Sequence, residues 1–87
     1  MVSETVTINN PQGLHMRPAS LFAKEMAAFQ CDVNIVHNGK KINAKSVMNI
    51  IASCIKGGSE IEVQCTGEDE QTAMDRAMEL FASGLGE

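Results

Sequence analysis

Hydrophobic and polar positions along the chain switch between two periods. Val2, Val6 and Ile8 share one parity while Ser3, Thr5 and Thr7 share the other, which predicts a half-buried strand. A turn over residues 9–14 follows. Apolar residues then fall at Ala19, Phe22, Ala23, Met26 and Ala27, the stripe of an amphipathic helix ending near Phe29. Leu21 is the one large apolar residue off that stripe. Val33 and Ile35 mark a second strand, Asn38-Gly39 signals a tight hairpin, and Ile42 and Ala44 return as a third strand. Ser46 has the character of a helix N-cap, and Val47, Ile50, Ile51, Cys54 and Ile55 form the stripe behind it, stopped by Gly57-Gly58. Ile61, Val63 and Cys65 alternate with Glu60, Glu62, Gln64 and Thr66 as a fourth strand. Glu68, Asp69 and Glu70 put negative charge at the start of a last helix, whose buried side is Ala73, Met74, Ala77, Leu80 and Phe81. Gly84 and Gly86 end it.

The predicted order is β-α-β-β-α-β-α. No strand is apolar on both faces along its length, so the sheet has one buried and one wet side. The expectation is an α+β fold in one domain over residues 1–87, a two-layer open-faced β-sandwich. Three helices cover one face of a four-stranded antiparallel sheet. A helical crossover separates strands one and two and leaves room for strand four between them, giving the order 1-4-2-3.

Composition narrows the function. The chain has 87 residues, three Phe and neither Trp nor Tyr, which argues against a base-stacking surface for nucleic acid. The formal charge is −4 with no run of Lys or Arg, so neither a duplex nor an anionic membrane is an expected partner. No apolar run approaches transmembrane length, and residues 2–8 are too short and polar for a signal peptide. Cys31, Cys54 and Cys65 are an odd number without CxxC spacing, which fits neither a disulfide framework nor a zinc site. Packing is the expected role of Cys54 and Cys65, and a reducing, cytoplasmic compartment the expected location. No metal or organic cofactor is expected.

The candidate chemistry lies in NNPQGLHMRPAS, residues 9–20. Pro18, with fixed φ and no N–H, suits a first helical turn. His15 therefore stands at the helix mouth, near free backbone N–H groups and the positive end of the dipole, an arrangement that attracts anions. Arg17 adds a planar, permanent cation suited to phosphate. A neutral imidazole nitrogen is a nucleophile. Attack on phosphorus and retention of the resulting dianion would both be served here. A histidine that merely caps the helix is the alternative.

GLHMRPAS resembles the active-site signature of HPr, the histidine-containing phosphocarrier of the phosphoenolpyruvate-dependent sugar phosphotransferase system. NAKSVMNI resembles the regulatory-serine segment of that family, and GSEIEVQCTGEDE its last strand and following helix start, so nearly the whole chain is covered. The resemblance implies a phosphocarrier, not a stand-alone enzyme. His15 would take phosphoryl through Nδ1 from phosphorylated enzyme I and pass it to enzyme IIA proteins, with Arg17 stabilising the phosphate and Pro18 shaping the helix start. Met16 stands where the family pattern has a small residue, and Asn49 where it has Gly.

Ser46 is a helix cap on structural grounds alone. The resemblance, to the low-GC Gram-positive type, adds phosphorylation by HPr kinase/phosphorylase and binding to catabolite control protein A. Met48 lies off its helical stripe beside Ser46, and an exposed apolar residue there suggests a docking patch. Val47 and Ile51 fit either core or patch. Leu14, Met16 and Leu21 extend the patch, with Leu21 equally a residue at the core edge. His37 reads as an exposed strand end, Lys40-Lys41 as a solvated hairpin face, and Glu68-Asp69-Glu70 as dipole-matching charge. A monomer is expected, since charges on strand three discourage edge pairing. A regulatory paralogue, a nitrogen-related carrier and an amino-acid-sensing domain are the rival readings. The presence of His15 counts against the first, and no ligand-binding constellation supports the last.

Overall fold

The strand with the cleanest alternation becomes the centre of the sheet. In the computed structural model, which describes residues 1–85, β4 (Glu60–Thr66) buries Ile61, Val63 and Cys65 and leaves Glu60 and Thr66 outside. It pairs antiparallel with β1 (Val2–Thr7) on one side and β2 (Asp32–His37) on the other. β2 pairs in turn with β3 (Lys40–Asn43), so the order is β1-β4-β2-β3 as expected. The hairpin between β2 and β3 turns at Asn38 and Gly39, with φ of 52° and 79°, the left-handed pair that a two-residue turn needs. Edge strand β1 buries no residue fully.

The helices are α1 (Met16–Ala27), α2 (Val47–Ala52) and α3 (Glu70–Ala82). α1 buries Pro18, Ala19, Phe22, Ala23 and Met26; Ala27, expected on the stripe, is exposed. α3 buries the five residues that the pattern predicts. The two helices meet at Phe22 and Phe81, whose ring centroids lie 4.9 Å apart at 42°. This tilted pair joins Ile35, Val63, Met26 and Met74 in one continuous core.

The second helix departs from expectation. It stops at Ala52, and Ile50 is the one residue it fully buries. Ser53 caps it, and Cys54 takes a left-handed φ of 54° that ends the helical path. Cys54 is therefore exposed and plays no part in core packing, whereas Ile55 reaches the core from the loop beyond the helix. Cys31 and Cys65 are buried. Burial, helped by a hydrogen bond to the Asp69 carboxylate, pushes the Cys31 thiol up to about 11, and burial likewise raises that of Cys65. The Gly86 stop lies outside the described residues.

The acidic cluster before α3 does more than match a helix dipole. Asp69 accepts the backbone N–H groups of Gln30 and Cys31, each at 2.8 Å, and so closes the loop from α1 into β2. Glu70 accepts from the Gly67 N–H at 3.0 Å and pairs with the N-terminal ammonium at 3.2 Å. The Gln30 N–H, with that of Cys31, holds the Asp69 carboxyl below its ordinary value; the Gly67 N–H and then the ammonium do the same for Glu70. Depressed carboxyls stabilise the fold above the unfolded-state pKa, about 4, and lose that contribution as pH falls through the lower folded-state values. The urea midpoint is thus expected to drop below about pH 4, and Asp69→Asn to flatten that dependence. An unchanged slope in the variant would mean that other carboxyls drive it.

Candidate functional site

The segment before α1 is fixed by backbone contacts to a loop far along the chain. Ile8 donates to Ser59 O and accepts from Gly58 N, both at 2.8 Å, and Leu14 donates to Ile55 O at 2.9 Å. Within the turn, Gly13 N donates to Asn10 O at 2.9 Å. The Asn10 side chain is buried and donates through Nδ2 to Gly84 O at 2.9 Å, which ties the turn to the end of α3. A buried amide without such a partner would cost stability.

The two loops touch backbone to backbone, and two glycines allow it. Gly13 has φ +74°, and a Cβ there would stand 2.1 Å from Ile55 O and 2.7 Å from Lys56 Cα. Gly57 answers from the other side, where a Cβ would meet Asn10 O at 2.5 Å and Pro11 O at 2.6 Å. The sequence marks Gly13 as a turn and Gly57 as a helix stop. Neither reading reveals that they face one another. Asn10 and Gly57 are the positioning residues that sequence reasoning missed; the doubled Gly57-Gly58 was the one visible signal.

His15 emerges from this anchored loop as the N-cap of α1, with φ −81° and ψ −168°. Its carbonyl accepts the first intrahelical bond, from Ala19 N at 3.0 Å. Its extended backbone turns the chain into the helix while leaving the ring half-buried at the mouth. Met16 and Arg17 are the first two helical residues, and Pro18 follows with no N–H to leave unsatisfied. The N–H groups of the first turn have no partner within the helix, so they and the dipole favour an anion beside the imidazole. Arg17 is exposed next to it. His15, Arg17 and Pro18 thus stand at one helix mouth.

Ser46 caps α2. Its Oγ accepts from Asn49 N at 3.3 Å, and its own N–H donates to Asn43 O at 3.2 Å. Lys45, just before it, sends Nζ to Phe29 O at 2.7 Å and satisfies a carbonyl beyond the end of α1. This role of Lys45 spans elements and left no local signal. α1 and α2 pack against each other, so the helix mouth and the Ser46 cap belong to one layer.

The docking candidates divide. Met16 and Met48 are large, apolar and exposed, at 61% and 71%. Leu21, Val47 and Ile51 are half-buried and pack against the core. Leu14 is only 3% exposed, so it is a core residue and cannot belong to an exposed patch. The bond from its N–H to Ile55 O holds it inward. His37 is half-buried at the end of β2, opposite Lys40.

Among the described residues no cluster of His, Cys, Asp or Glu suits a metal ion, and no helix is long and apolar enough to cross a membrane. A family model, the phosphorylation site of the HPr component of the phosphotransferase system, matches residues 2–83. The phosphocarrier protein HPr of Mycoplasma capricolum is 42% identical over 74 residues, covering 85% of this chain and 83% of its own. Crh, an HPr-like protein of Bacillus subtilis, is 40% identical over 76 residues, covering 87% and 89%. Its crystal structure, a domain-swapped dimer, is 36% identical to this chain, covers 95% of each and superposes with a TM-score of 0.76. HPr of Thermoanaerobacter tengcongensis, 34% identical over 100% of this chain and 98% of its own, superposes with a TM-score of 0.95. A helix mouth that carries histidine and arginine on this sandwich, together with the family match over nearly all its length, shows that the chain belongs to the HPr family of phosphotransferase-system phosphocarriers, proteins that carry phosphoryl groups and are not stand-alone catalysts.

Proposed function

We propose that His15 is the residue that carries the phosphoryl group, accepting it from phosphorylated enzyme I and passing it to enzyme IIA proteins. The observation that carries this reading is the position of His15: N-cap of α1, beside Arg17, on a loop fixed from both sides. In each transfer a ring nitrogen attacks phosphorus, a P–N bond forms, and the bond from phosphorus to the donor breaks in line. Arg17 and the first-turn N–H groups hold the dianion between transfers. Pro18 presets the helix start. Phosphoenolpyruvate is the ultimate donor, and the partner proteins supply the remaining groups. Met16 and Met48 form the apolar rim on which those partners dock, with Leu21, Val47 and Ile51 supporting it. The protein acts in the cytoplasm, as a monomer and a single domain over residues 1–87.

The test is incubation with phosphoenolpyruvate and enzyme I, followed by intact mass before and after mild acid. One phosphoryl group that acid removes is expected. No adduct, with the same enzyme I active on another HPr, would overturn the assignment.

A second reading concerns Ser46, and the likeness to Crh, the catabolite repression HPr of Bacillus subtilis, supports it. Phosphorylation of Ser46 by HPr kinase/phosphorylase would place charge beside Met48, hinder docking on acidic surfaces of enzyme I, and present a new anion to catabolite control protein A. An acid-stable adduct formed with ATP and the kinase, and lost in Ser46→Ala, is the expected result. The same variant removes the cap and should cost about 1 kcal/mol, a fall of about 4–8 °C in Tm. An adduct that persists in Ser46→Ala would move the modification elsewhere.

A further inference from the structure

We propose that the cleft between the β2–β3 hairpin and α2 binds a small hydroxylated phosphomonoester, with Lys40 and His37 holding the phosphate and Lys41 adding positive charge at the rim. The cleft measures about 390 Å³, at the small end of the range for small-molecule sites. It belongs to neither candidate site above, since nothing from residues 9–20 and neither Ser46 nor Met48 lines it.

Charge is the first argument. The chain carries eleven acidic against seven Lys and Arg residues, yet among the described residues no carboxylate lines this cleft and two of the seven cations do. Such a concavity holds positive potential on an otherwise negative molecule. His37 and Lys40 are directly paired across the hairpin, so their side chains leave one face together at the end of a two-stranded element, whereas Lys41, paired with Val36, leaves the other face and stands at the rim. The tight turn at Asn38 and Gly39 fixes their spacing.

The opposite wall defines the rest of the ligand. Asn49 presents an amide, which both donates and accepts. The Ser53 hydroxyl already donates to Ile50 O, so its oxygen remains as an acceptor for a ligand hydroxyl. Ile42, two residues from Lys40 and on the same strand face, adds an apolar contact. A phosphate at one end and hydroxyls on a short carbon body match this order of groups. A long polyanion does not, because the cleft is short and no aromatic residue lines it.

The test is an amide chemical-shift titration of the full chain with glycerol 3-phosphate at constant ionic strength. Inorganic phosphate, glycerol and succinate serve as comparison probes. Saturable shifts grouped in residues 37–43 and 49–53 are expected with glycerol 3-phosphate, weaker ones with phosphate, and none with glycerol or succinate. The double variant Lys40→Gln, Lys41→Gln should weaken binding about tenfold or more, the loss of a charge-assisted hydrogen bond. Asn49→Asp, which puts a carboxylate in the cleft from the other wall, should abolish it. Phosphoryl transfer through His15 should survive the lysine changes, which separates this site from the carrier site. Shifts confined to residues 12–18, equal shifts with succinate, or full binding by both variants would overturn the proposal.

Discussion

His15→Ala should accept no phosphoryl group from phospho-enzyme I, at any concentration of donor or length of incubation. The loss is total because the reaction needs a nitrogen nucleophile at this one place, and alanine supplies none. His37, the only other histidine, is at the far end of β2, paired with Lys40 on the hairpin, and cannot stand in. The fold should survive, because the change trims a half-buried ring at the helix mouth and leaves the backbone bonds that anchor the loop in place. A thermal melt next to the intact-mass assay therefore separates lost chemistry from lost structure. Arg17→Ala makes the contrast. It keeps the nucleophile and removes a cation beside the developing charge, so transfer should slow roughly 10²-fold without vanishing. An acid-labile adduct on His15→Ala would place the carrier residue elsewhere.

Gly13→Ala should be the most destabilising single methyl group in the region of the site. Two costs add at this position. A left-handed φ costs a side chain about 1–2 kcal/mol. The new Cβ would also press on Ile55 O at 2.1 Å, a backbone atom that cannot rotate away. The loop must retreat, and the bond from Leu14 N to Ile55 O goes with it. Together about 3 kcal/mol or more is expected, a fall in Tm of about 12–24 °C for a domain of this size. Gly39→Ala is the control. Its φ is +79°, but nothing lies within 4 Å of its Cβ, so it bears the conformational cost alone. Equal melting temperatures for the two variants would show that the close approach carries no weight. Folded Gly13→Ala should also transfer phosphoryl more slowly, because the loop that presents His15 has moved.

Local patterns were legible and long-range ones were not. Alternation in residues 60–66 and the stripe in α3 predicted burial residue by residue, because both depend only on near neighbours and one apolar side. The helix mouth was legible for the same reason: proline, arginine and histidine within four positions set their own local geometry. The stripe of the second helix misled. Cys54 and Ile55 continue its spacing, but the left-handed turn at Cys54 breaks the helical rotation, so periodicity no longer says which way a side chain faces. Leu14 misled differently. Its neighbours His15 and Met16 emerge from the surface, and only the bond to Ile55, more than forty residues away, turns it inward. Asp69 was read for its charge, whereas its role depends on two N–H groups thirty-eight and thirty-nine positions earlier. Contacts across such distances leave no period in the sequence.

The dependence of the His15 loop on Ile55, Ser59 and Gly84 has a consequence for synthesis. Residue 15 is made before residues 55, 58, 59 and 84, which supply the long-range clamps on its loop. β1 also waits for β4 before it gains any partner. A nascent chain therefore exposes the histidine long before it can present it. A chain that stops short of residue 55 would therefore carry the histidine without the contacts that position it.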